Sequence, residues 1–318
     1  TMKESIELDN FLQGMLINIG ADPYFLHSEE YKSILANYLT NISSYASSKA
    51  IESADIDINK SMLILRGAYV INPTDNVTSY LYAKALWPMA YESSDEFKDD
   101  FIREALRILQ DIIARDENFA LAYYELGNIY ANLGEYIKAR NYYNNALSKS
   151  DTDEARDETR DRLREINDNA EIEEALYLIG KSDYDGAIKK LTGLLSSTNR
   201  PDAYYYLGVA YQNIGQYENS NMAFLNALDK GADFRELYND YAISLFMAKK
   251  EDESLSIIDE GLEKYPQDPR LTYNKIQISL SVGRISEAKK DIDELLTYDD
   301  LSDEIKENLA VIKNQFNF

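Results

Sequence analysis

The sequence predicts an all-α fold with an internal repeat, and three observations predict it. The stretch "YYELGNIYANLGEYIKARNYYNNAL" from Tyr123 returns 81 residues later as "YYYLGVAYQNIGQYENSNMAFLNAL" from Tyr204. Glycine (13) and proline (6) are scarce in 318 residues, and no sustained alternation of apolar and polar residues marks a strand, so long helices with short connections are favoured over a turn-rich β fold. Four of the six prolines, Pro73, Pro201, Pro266 and Pro269, fall at the joints of the repeating pattern, where they stop one helix or start another.

The repeated stretch places Leu126 over Leu207, Gly127 over Gly208, Tyr130 over Tyr211, Gly134 over Gly215, Tyr143 over Phe224 and Ala146 over Ala227. A glycine inside a helix costs roughly 1 kcal/mol relative to alanine, so Gly127 and Gly208 are expected at a crossing of two helices that no larger side chain could enter. With an apolar residue seventh, a small residue eighth, an aromatic eleventh and small residues again at the twentieth and twenty-seventh places, the pattern resembles the tetratricopeptide repeat (TPR) family. The unit starting at Ala120 departs from it only in Asp151, where the family often has proline; the unit starting at Pro201 has Ser220 at the twentieth place and Ala232 for the proline. The resemblance implies a right-handed α-superhelix, an alpha-alpha solenoid of about six to seven hairpins whose first helices line a concave face.

Taken in order, residues 1–41 read as two amphipathic helices, around Ile6 to Ile19 and Ser28 to Leu39, divided by "GADP". Residues 42–75 form a unit recognisable in its second half by Ser61, Leu65, Ala68 and Pro73, and 76–119 a unit with about ten extra residues around "WPMAYESSDE" between its helices. The best unit is 120–153, followed by an insertion at 154–167 whose charged helix formers are expected to extend a helix. The register then holds through units at 168–200, 201–234, 235–268 and 269–302, the last degenerate with Lys275 at the seventh place and Leu295 at the twenty-seventh. Residues 303–318 read as a capping helix, apolar on one face.

Composition narrows the chemistry. Aspartate plus glutamate outnumber lysine plus arginine by 56 to 33, for a formal charge of −23, which repels nucleic acid and anionic lipid. The acids cluster from Ser93, from Ser150 and from Asp291, either as solvated helix ends or as docking sites for a basic partner. There is no cysteine and a single histidine, His27, so thiol chemistry is excluded and neither a metal nor any cofactor is expected. No phosphate loop, dinucleotide fingerprint, nucleophile elbow or zinc-protease motif occurs; "DIDINKS" from Asp55 has Lys60 where a calcium loop needs glycine. No stretch has the roughly 20 apolar residues that cross a bilayer, so direct membrane insertion is not expected. Thr1 before Met2 implies that a tag, signal or anchor once preceded this segment, which leaves the compartment open.

The resemblance also implies which side chains face the groove. The fifth place of successive units gives Tyr80, Tyr124, Tyr205, Asn239 and Tyr273; the ninth, twelfth and thirteenth places add Asn128, Asn132, Gln212, Asn213 and Gln277. Tyrosine gives wide contact at little rotamer cost, and amides pair with a peptide backbone, so a protein or peptide partner is expected. The family's chaperone-tail clamp would need lysine where Tyr124 stands, and residues 1–75 hold no basic DNA-binding module, so both of those branches are disfavoured. A non-enzymatic scaffold is the leading expectation, with self-association into an assembly, or an accessory domain of a tethered protein, as rivals. Removing Tyr205 and Asn213 together is expected to weaken partner binding and to leave the melting temperature nearly unchanged.

Overall fold

Pro201, Arg235 and Pro269, the residues that open successive repeats in the sequence, each open a helix in the computed structural model, as Ala120 does. The structure describes residues 8–92, 95–299, 301–316 and 318. Thr1, Met2 and Ile6 lie outside the described residues, as do Ser93 and Ser94 of the stretch "WPMAYESSDE" and Asp300 of the last acidic run. The described residues form seventeen helices and no strand, so the fold class is all-α. They divide into two compact units, Thr1–Ala170 and Glu171–Phe318.

The first unit runs α1 (Leu8–Ala21), α2 (Ser28–Tyr38), α3 (Ile42–Ala54), α4 (Ile58–Ile71), α5 (Asn76–Glu92), α6 (Asp95–Arg115), α7 (Ala120–Asn132), α8 (Tyr136–Lys149) and the start of α9 (Asp153–Gly180). Helices α3·α4, α5·α6 and α7·α8 form hairpins, and α1 packs along α4. Asn41 and Asp57 cap α3 and α4 by accepting the amides of Ser44 and Lys60 at 2.9 and 3.0 Å. The stretch that superficially resembles a calcium loop is therefore a helix start. The extra residues expected between two helices instead continue α5 through Pro88.

Where α1 crosses α4 the backbones touch. A Cβ on Gly20 would stand 2.0 Å from the Leu63 carbonyl oxygen, and one on Gly67 would stand 2.1 Å from that of Leu16. Only hydrogen fits at either position.

The second unit runs from residue 171 through the end of α9, then α10 (Tyr184–Leu195), α11 (Pro201–Asn213), α12 (Tyr217–Asp229), α13 (Arg235–Met247), α14 (Glu251–Lys264), α15 (Pro269–Ser281), α16 (Ile285–Leu295) and α17 (Asp303–Phe316). Its hairpins are α11·α12, α13·α14 and α15·α16. The eighth-place glycines behave alike in both units. A Cβ on Gly127 would meet the Tyr143 ring at 2.5 Å, and one on Gly208 the Phe224 ring at 2.6 Å. The glycine thus makes room for the aromatic ring of the second helix, not for its backbone.

The serines that stand at the twentieth place have a shared task. Ser220 Oγ donates to the Gly208 carbonyl at 2.9 Å, Ser254 Oγ to that of Ala242 at 2.7 Å, and Ser61 Oγ to that of Ala50 at 2.9 Å. Each buried hydroxyl is satisfied by the first helix of its own hairpin. Lys275, the seventh-place departure in α15, ion-pairs with Asp259 at 2.8 Å and Asp291 at 3.8 Å, so a half-buried charge replaces the usual apolar contact.

The segment 154–167 does extend a helix, the 28-residue α9. Arg156, Arg160, Arg162 and Arg164 pair three residues away with Asp153, Asp157, Glu165 and Asp161, which supports a helix that is polar over most of its first half. That half also packs in the first unit, since Ile166 and Leu163 join Ala139 and Tyr143 in one apolar cluster. Residues 154–167 thus occupy the position of a first helix beside α7.

Candidate functional site

A cleft of the first unit lies across the N-terminal parts of α7 and α9 and the middle of α5. Its volume is about 500 Å³. Tyr80, Phe119, Leu121 and Ala155 give it an apolar floor, Lys84 and Lys149 bring cations, and Asp116, Asp151 and Glu158 bring carboxylates. Leu121 is 49% exposed in it, an apolar residue at the second place of its unit with no cover. Such mixed lining, apolar floor and polar rim, is what peptide and small-ligand clefts present.

Each of these side chains is set by its helix register. Tyr80 is only 8% exposed, its ring 6.0 Å from that of Phe119, and burial pushes its phenol above the ordinary range. It supports the floor and offers little of its own surface. Tyr124 is half-buried; its Oη donates to Glu158 Oε1 at 2.6 Å, and its ring lies 5.7 Å from Tyr143. Behind it, Tyr143 Oη donates to Asn128 Oδ1 at 2.7 Å, and Asn128 Nδ2 donates to Glu125 Oε2 at 3.1 Å. Asn128 is therefore occupied within the fold. Exposed Asn132 turns its amide back to the Asn128 carbonyl at 2.8 Å.

Glu125 is 6% exposed, and burial raises its carboxyl pKa above the ordinary value, opposed by the Asn128 hydrogen bond and the positive field of Lys84. The folded state therefore binds this proton more tightly than the unfolded chain does. Between the unfolded carboxylate pKa and the raised folded one, stability must fall as pH rises. Replacing Glu125 by glutamine is expected to remove that slope, leaving the variant more stable than the parent at about pH 8 and little different at about pH 4. Urea unfolding at the two pH values measures it; parallel pH profiles for both proteins would refute the assignment.

In the second unit the expected groove residues have partners within the fold. Tyr205 Oη donates to Asp240 Oδ2 at 2.8 Å, and its ring meets Phe234 edge-on at 4.8 Å. Gln212 Nε2 donates to the Asp240 carbonyl at 3.1 Å; Asn239 donates to Asp240 Oδ1 at 3.1 Å and accepts from Asn274 Nδ2. Burial raises the pKa of Asp240, and the bonds from Tyr205 and Asn239 pull it back. Tyr273 accepts from Gln277 Nε2 at 2.7 Å and packs on the last apolar cluster, while Asn213 folds back on the Val209 carbonyl at 2.8 Å. These bonds link α11, α13 and α15 laterally. Because Tyr205 supports Asp240 and Phe234, its removal should cost stability as well as any affinity, unlike the expectation from sequence.

Sequence reasoning named Tyr80 and Tyr124 but missed Lys84, Leu121 and Glu158. Leu121 and Lys84 stand at the second and ninth places of their units, which the family pattern also turns to the groove. Glu158 stands 34 residues after Tyr124, a spacing that could have placed it. Among the described residues, no group of three His, Cys, Asp or Glu side chains is placed to hold a metal, and no helix is long and apolar enough to cross a membrane.

The described residues thus form an all-α array of helical hairpins with an open amphipathic cleft. Residues 120–153 match the tetratricopeptide repeat model, so the chain carries a tetratricopeptide repeat there. Similar solved structures include PilW, a type IV pilus biogenesis factor (17% identity, 71% of this chain and 98% of that one, TM-score 0.47). A tetratricopeptide repeat protein from Parabacteroides merdae is also similar (18%, 85% and 98%, TM-score 0.41), as is YrrB, a TPR protein with an unusual peptide-binding site (15%, 66% and 97%, TM-score 0.41). No curated protein sequence matches the chain.

Proposed function

We propose that this protein is a non-enzymatic interaction scaffold that holds a peptide segment of a partner protein against the first helices of residues 76–170. The observation that carries the reading is the cleft of about 500 Å³ with Leu121 uncovered on its floor and the Tyr124–Glu158 pair on its wall. The groove residues expected in the second unit support it from the other side: Tyr205, Gln212 and Asn239 already have partners, so they stiffen the array and leave less to offer a ligand. Peptide docking of this kind draws on one apolar anchor with polar groups around it.

Selection from a displayed random-peptide library tests it. Peptides enriched on the parent protein are expected to lose at least about tenfold in affinity on Leu121→Asp, an exposed change that should leave the melting temperature within a degree or two. Enrichment indifferent to Leu121 would remove the cleft from consideration. Sedimentation velocity addresses the rival, since a stable oligomer blocking the cleft would favour a structural subunit.

A further inference from the structure

We propose that the cleft of residues 76–170 takes an extended peptide in which a bulky apolar side chain is flanked by lysine or arginine, with Asp151 and Glu158 recognising the flanking cations. This rests on the interaction reading above and names the chemistry of the partner.

Of the two lysines of the cleft, Lys149 is held by the protein and Lys84 is exposed, with no ion pair among the described residues. The Lys149 ammonium sits 5.3 Å over the Tyr123 ring, and three carboxylates, Asp116, Asp151 and Glu158, stand against the two lysines. Asp151 makes no ion pair among the described residues, and Glu158 receives only the neutral phenol proton of Tyr124. A carboxylate has more acceptor sites than one phenol fills, so Glu158 keeps an oxygen for a second donor while Tyr124 fixes its orientation. Glu158 and Asp151 both line the cleft whose floor bears the uncovered Leu121. An apolar anchor on Leu121 thus has beside it two carboxylates that make no ion pair among the described residues, although Arg162 Nε reaches the Tyr124 hydroxyl at 3.5 Å. The chain's formal charge of −23 acts in the same sense, drawing cationic segments in and repelling acidic ones.

The test uses two fluorescein-labelled octapeptides with a central Leu-Phe pair, one flanked by lysines and one by glutamates, measured by anisotropy at low and at physiological salt. The lysine-flanked peptide is expected to bind about tenfold more tightly than the other, and the preference should shrink as salt rises. Asp151→Asn with Glu158→Gln should erase the preference, whereas Leu121→Ser should weaken binding without inverting it. Glu304→Gln with Glu307→Gln on α17 makes the same change in net charge outside the cleft and should alter nothing. If that remote pair reduces binding as much as the cleft pair, the attraction is diffuse and the proposal is wrong. A preference for the glutamate-flanked peptide that still depends on Leu121 overturns the charge assignment and leaves the scaffold reading standing. Binding of neither peptide overturns both.

Discussion

Gly67→Ala is expected to destabilise the first unit by about 3 kcal/mol or more, although alanine is the better helix former by about 1 kcal/mol. The reversal follows from what the new methyl group would meet. At 2.1 Å from the Leu16 carbonyl oxygen it confronts backbone, which cannot turn aside as a side chain can, so α1 must lift from α4. Gly20→Ala should behave likewise, with its Cβ 2.0 Å from the Leu63 oxygen. A methyl group added at Gly14, on the same helix α1, would meet nothing within 4 Å, so Gly14→Ala should gain up to about 1 kcal/mol. Thermal unfolding of the three variants separates the cases. If Gly67→Ala melts above the parent, the close crossing of α1 on α4 is not present in solution.

The second large effect lies at Phe224, which is fully buried. Phe224→Ala should cost about 3–5 kcal/mol, from lost burial and from the cavity left behind. Gly208→Ala alone should cost about 1–3 kcal/mol, because its methyl would stand 2.6 Å from the ring. In the double variant the obstacle is gone. Gly208→Ala should then be neutral or gain up to about 1 kcal/mol, so the two changes should couple by about 2 kcal/mol or more. Additive effects would mean that the glycine is retained for some other reason. The same cycle at Gly127 and Tyr143 should couple too, with the added loss of the Tyr143–Asn128 hydrogen bond.

These two experiments also mark what the sequence made legible. Gly127 and Gly208 could be read because they recur in register, each with an aromatic residue at a fixed distance along the chain. Gly20 and Gly67 could not, since their partnership is a single event between helices without a periodic echo. The helix starts at Ala120, Pro201, Arg235 and Pro269 were legible from spacing and from proline. The cleft was legible only in part. Lys84, Leu121 and Glu158 sit on three helices that meet only after folding, and the segment holding Glu158 reads by composition as an insertion. Tyr205 was expected to face the groove, but whether its hydroxyl is free depends on Asp240, 35 residues away, and the pattern does not encode that pairing.

The serine pin found at Ser61, Ser220 and Ser254 ties each hairpin to itself and borrows nothing from the next one. A gene segment encoding such a hairpin can therefore be copied, lost or moved without orphaning its serine hydroxyl. Lineages of this chain are expected to vary in length by whole hairpins, with the pinning serine or an alanine in its place travelling inside each copy.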